Sequence, residues 1–134
     1  MQSEPQPAPA SKAMVWTGRV MSTLPALFLL FGGVMNLAKP DFVVQGTMKY
    51  GYPESVIVPL GIVVIACTVI YLIPRTAVLG AILLTGYLGG AVATHVRADE
   101  GLFAILFPVF FGALLWGGLV LRDAKLRALL PWRW

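Results

Sequence analysis

The chain has 134 residues, 58% hydrophobic and 12% charged, with a mean hydropathy of +0.82. A soluble domain of this length is about half apolar and about a quarter charged, so the composition excludes an ordinary soluble domain and indicates a bilayer protein. The net charge of +4 comes without a basic stripe, which leaves nucleic-acid binding unsupported, and the one cysteine, Cys67, excludes an intrachain disulfide and a dithiol centre.

Residues 1–13, "MQSEPQPAPASKA", are polar and rich in proline and alanine, and are expected to be a disordered tail. The remainder, 14–134, reads as one transmembrane domain. Its first apolar stretch, Val15–Asn36, is too long for a signal-peptide core and is read as a retained anchor. A longer connection, Leu37–Glu54, follows. Asp41 is expected to cap a short helix there, which Gly51 and Pro53 end. Phe42, Val43, Val44 and Met48 suggest that this segment lies on the bundle or dips into it. The second stretch, Ser55–Ile73, ends at the turn "IPRT". The third runs Thr76–His95 and ends at "ADEG". The fourth is Leu102–Leu121. Each is near the ~20 residues that cross a bilayer, and in hydrocarbon a backbone must satisfy its own hydrogen bonds, so each is predicted to be a helix. No stretch alternates with the period of a membrane β-strand. The fold class is therefore an all-α integral membrane protein with a four-helix bundle.

Four spans place both ends of the chain on one side. That side carries Lys12, Arg19, Arg75, Arg122, Lys125, Arg127 and Arg133, against Lys39, Lys49 and Arg97 on the other. The positive-inside rule then predicts cytoplasmic termini. Trp16 at one end, and Trp132 with Trp134 at the other, fit interfacial anchors. Helix association in lipid needs close approach, and the small residues Gly86 and Gly90, with Thr94 continuing the row, are expected to pack helices together, the alternative being that they line a ligand cleft. Gly32 with Asn36, and Ala113 with Gly117, show the same spacing of four.

The side opposite the termini collects the chemistry. Asn36, Tyr50, Tyr52, Glu54, His95, Arg97, Asp99 and Glu100 fall at one level. His95 is an ionisable group at the end of a span, where such groups normally face the bundle interior. It titrates near neutral pH and suits proton transfer, or it bridges helices. One histidine and scattered acids give no metal-ligand spacing. Arg97 is an interface charge or an anion clamp.

The segments "LFGGVMNLAKPD" (30–41), "YGYPESVIVPLGIVVIACTVIYLIPRTAVLGA" (50–81), "LTGYLGGAVATHVR" (84–97) and "LFPVFFGALLWGGLVLRDAKLRALLP" (106–131) together resemble the DoxX-like family of small four-helix bacterial membrane proteins. Asn36 stands where relatives often carry a lysine. The resemblance implies a bacterial inner-membrane protein. Its relatives are associated with respiratory or sulfur-oxidising quinone chemistry, with redox stress, or more distantly with membrane-protein assembly.

Two readings stay open. In the first, an accessory redox protein has an outward-facing pocket for a quinone or similar lipophilic molecule. His95 donates or accepts a proton, Arg97 and Asn36 orient a carbonyl, and Thr94 and Tyr87 complete the site. In the second, a non-catalytic partner or homo-oligomer packs through its glycine faces and outer loop. A transporter has little support, because no span is broken.

Overall fold

The computed structural model describes residues 11–129. Among them the chain folds into helices, without strands: α1 (Lys12–Ala38), α2 (Asp41–Lys49), α3 (Ile57–Leu72), α4 (Ala77–Arg97), α5 (Leu102–Arg122) and α6 (Ala124–Leu129). Short 3₁₀ turns, Glu54–Val56 and Pro74–Thr76, lead into α3 and α4. Four helices, α1, α3, α4 and α5, are long and apolar enough to cross a membrane. The four apolar stretches of the sequence match them closely, because hydropathy reports where a chain can stay in hydrocarbon.

The helix starts earlier than composition suggests. The Ser11 hydroxyl accepts the Met14 amide proton at 3.2 Å and caps α1, so Lys12 and Ala13 are helical rather than tail. Residues 1–10, and the expected anchors Trp132 and Trp134, lie outside the described residues.

The expected short helix is α2. Asp41 does not cap it: Pro40 holds that position, and Asp41 is the first helical residue, where its carboxylate complements the helix dipole. Gly51, at φ +88°, turns the chain back beyond the helix in a region that favours glycine. No residue of α2 is buried, so it lies on the bundle rather than in it. The sequence reading did not anticipate α6. Its buried Arg127 reaches back to donate to the Val120 and Leu121 carbonyls, at 2.8 and 3.0 Å. These are among the last carbonyls of α5, which lack helical partners.

Round the bundle, α1 packs against α3 and α5, and α4 packs against the same two. Glycines set where each pair touches. A Cβ at Gly18 would meet the Gly118 carbonyl oxygen at 2.6 Å, and one at Gly118 would strike Ser22, so α1 and α5 cross closely there. Gly33 is filled by Ile65 and Val64, and a Cβ at Gly61 would lie 2.8 Å from both Asn36 Cβ and the Gly33 oxygen. These two glycines bring α1 and α3 together at the α2 end. Gly80 sits on the Tyr71 backbone and pins α3 to α4 at the opposite end.

The Gly86–Gly90 row does not pack helices, contrary to expectation: no atom would lie within 4 Å of a Cβ at either residue. The packed face of α4 carries Gly80, Ala81, Leu84 and Leu88, and the row lies about half a turn away. Gly32 is open too, its neighbour Gly33 being the packed residue. In the last pair, Gly117 approaches Met21 while Ala113 is exposed.

These contacts hold α3 at both ends. It is held against α4 at the end with the α3–α4 turn, and against α1 at the α2 end. The α3–α4 pair therefore opens toward α2.

Candidate functional site

A cavity of about 420 Å³ occupies that opening. One wall is α4, with Gly86, Tyr87, Gly90, Ala91, Thr94 and His95. Leu60 of α3 and Asn36 of α1 line it opposite, and Thr47, Tyr50 and Tyr52 cover the α2 end. No residue of α5 lines it. The deep part is apolar or glycine-lined, and the polar groups gather under α2.

Of the residues singled out from sequence, Asn36, Tyr87, Thr94 and His95 line this cavity and Arg97 does not. Asn36 Nδ2 donates to the Ile57 carbonyl at 3.2 Å, fixing the amide across the α1–α3 crossing. Thr94 donates to the Gly90 carbonyl at 2.9 Å. Its single proton is thereby used, so in the 2.6 Å contact between Thr94 Oγ1 and Tyr52 the phenol donates. Arg97, expected to orient a ligand carbonyl, instead donates to the Tyr50 carbonyl at 2.5 Å and lies over the Tyr52 ring. It fastens the end of α2 to the end of α4.

His95 meets Tyr50 edge to face, with ring centroids 5.4 Å apart at 90°. Its Nδ1 lies 3.3 Å from Glu100 Oε2. The Glu100 carboxyl is held below its ordinary range, first by the Tyr50 hydroxyl; burial opposes this, and His95 and Lys49 add smaller lowering effects. The same contact pushes the Tyr50 phenol up. Lys39 and Glu54 pair at 3.2 Å and join the two ends of the connection that carries α2.

Thr47, Tyr50 and Tyr52 were not chosen from the sequence as site residues. The signal for the tyrosines was the run "YGYP" at 50–53, in which Gly51 reverses the chain and brings two aromatic rings over the end of α4. Thr47 gave no signal. Among the described residues neither the Thr47 nor the Tyr87 hydroxyl makes a hydrogen bond. The cavity is thus lined by two uncommitted hydroxyls and one imidazole whose Nε2 makes no protein hydrogen bond among the described residues.

A family model described as the DoxX-like family matches residues 20–118. Comparisons with curated proteins and with solved structures give no match. The matched segment is well over half of the chain and includes every residue lining the cavity: the protein belongs to the DoxX-like family.

Proposed function

We propose that this is an accessory redox protein of the bacterial inner membrane whose cavity takes up a quinone or a similar lipophilic small molecule. The observation that carries the reading is a cavity of ligand size bordered by three long apolar helices, with glycine and apolar residues along one stretch and most of its polar groups gathered under α2. The donor set fits such a molecule. A flat ring with carbonyl oxygens needs hydrogen-bond donors and aromatic or glycine surfaces to lie against. Thr47 and Tyr87 offer free hydroxyls, Tyr50 and Tyr52 offer rings, and Gly86 and Gly90 leave room.

A bound quinone would supply reversible electron and proton transfer, with the electrons exchanged through a separate redox protein. The residues of this chain bind, orient and move the proton. His95 is the proposed proton-exchange group: it lines the cavity, and its Nδ1 meets Glu100 while Nε2 makes no protein hydrogen bond. Arg97 acts at one remove by holding Tyr50 in position. The second reading, a non-catalytic partner or assembly factor, draws on Gly32 and Gly89, which do not line this cavity and have open space where a partner helix could approach.

Solvent extraction of the detergent-purified protein, followed by mass spectrometry, tests the first reading. A ring compound bearing carbonyl groups should appear in near-stoichiometric amount. It should be much reduced in a Thr47→Ala, Tyr87→Phe double variant of normal abundance. An extract holding only phospholipid, together with no uptake of an added quinone analogue, would remove the first reading and leave the second.

A further inference from the structure

The cavity has two possible mouths, and the structure treats them differently. The mouth toward α2 is fastened. The Arg97 guanidinium holds the Tyr50 carbonyl at 2.5 Å. The Tyr52 hydroxyl holds Thr94 at 2.6 Å, and the His95 and Tyr50 rings meet edge to face. The mouth between α3 and α4 has no such contacts. There the lining is Leu60 of α3 on one side and Gly86 with Gly90 of α4 on the other. Both glycines are exposed, both line the cavity, and neither has an atom within 4 Å of where a Cβ would stand. Both sit in the interior of a helix apolar enough to span a bilayer, so this mouth faces hydrocarbon.

We infer that the ligand enters sideways from the bilayer, through the cleft between α3 and α4 at Gly86 and Gly90. The inference rests on the cavity being a ligand site, as proposed above, and it narrows the ligand class. The cavity runs from Gly86 to His95, about 14 Å along α4. A flat head group passes the side-chain-free rim and turns its polar edge toward Tyr50 and His95. An attached hydrocarbon tail stays in the cleft and in lipid. A water-soluble molecule would need the fastened mouth instead. The absence of side chains at 86 and 90 is explained by this passage. Helix packing does not explain it, since no helix is there.

The test uses the full chain in phospholipid vesicles, in a Cys67→Ala background. A nitroxide at Gly90→Cys reports collisions with oxygen, which concentrates in lipid, and with a water-soluble nickel chelate. A nitroxide at Ile82→Cys, on the exposed side of α4, is the lipid reference. Oxygen should dominate at both positions. Uptake of a benzoquinone with a ten-carbon tail, added in vesicles, should slow by about tenfold or more in Gly90→Leu. The melting temperature should not change, since the leucine displaces no packed atom. Gly90→Ala should slow it less, and provides the same test if the leucine variant fails to fold.

Collisions dominated by the nickel chelate at position 90 would overturn the inference, as would protection from both reagents, which would mean that a protein partner covers the cleft. Equal uptake by the parent and Gly90→Leu would overturn the sideways route and leave the cavity reading standing. Oxygen access at position 90 without uptake by the parent would sink the quinone reading and leave the lipid-facing mouth standing.

Discussion

At Tyr71 one hydroxyl serves three helices. It projects from α3 with 0% exposure and lies 2.6 Å from both the Ser22 hydroxyl of α1 and the Leu115 carbonyl of α5. The Arg122 guanidinium lies over the same ring and also donates to Ser22, at 3.2 Å. Tyr71→Phe keeps the ring packing and removes the hydroxyl. The Leu115 oxygen is then left without this donor, while Ser22 keeps Arg122. Hydrogen bonds in membrane bundles are individually modest, so the loss should be about 1–2 kcal/mol, read as a lower melting temperature in detergent. At the α2 end, Glu100 behaves differently because water reaches it. Its carboxyl is depressed in the fold by Tyr50 and His95, so its contribution is complete above the ordinary carboxylate range. That contribution is lost as pH falls from the ordinary carboxylate range through the lowered value. Acidification should therefore loosen α2. The distance between spin labels at Gly46→Cys and Ala98→Cys, in a Cys67→Ala background, should broaden below that range. With Glu100→Gln added, the distance should be broad already at neutral pH and nearly flat with acid. An unchanged acid transition in that variant would assign the switch to another group.

Glycine spacing is a sequence signal that the helices obey only in part. Gly86 and Gly90 carry the usual interval of four, yet they face a cavity, whereas Gly80 makes the closest α3–α4 approach. A spacing states that two small residues share a face. It does not state which face the neighbouring helix will choose, and here α3 chooses the face of Gly80 and Leu84. Gly80→Ala should therefore strike the Tyr71 backbone, which cannot swing aside, and lower stability by about 1–3 kcal/mol. Gly86→Ala should leave the melting temperature near that of the parent. Equal destabilisation by both would mean that α4 is rotated from the face described. The spans themselves were legible because hydropathy needs no partner. The cavity was legible as a polar level on one side of the membrane, and four of the five chosen residues line it. Arg97 lies outside the lining, on the Tyr50 carbonyl, and an arginine near a histidine looks the same in sequence whether it meets a ligand or a backbone carbonyl. The short α6 was missed for a related reason: a basic run of six residues gives no hint that Arg127 will fold back onto α5.

Across the whole molecule, the four spans put the start of α1, the α3–α4 turn and α6 on one side. They put α2 and the α4–α5 turn on the other. By the positive-inside rule, the seven-to-three distribution of lysine and arginine in the sequence predicts that the first side faces the cytoplasm. The acids give no opposing vote, since carboxylates contribute little to that rule. Single-cysteine labelling in intact cells measures the orientation, again with Cys67→Ala. Gln45 on α2 and Ala98 beyond α4 are exposed and make good outward reporters. Asp99 is a poorer choice, because its backbone stands at φ +54° and a cysteine there is strained. Cysteines at 45 and 98 should react with a membrane-impermeant maleimide before lysis. One at Lys125, exposed on α6, should react only after lysis. The orientation also fixes what His95 can exchange protons with, because His95 and Glu100 lie at the α2 end, beside whichever compartment α2 faces. With cytoplasmic termini, a proton passing through His95 and Glu100 comes from or goes to the outer side. The opposite labelling pattern would leave the bundle and cavity unchanged, but would turn that proton path, and any redox partner meeting α2, to the cytoplasm.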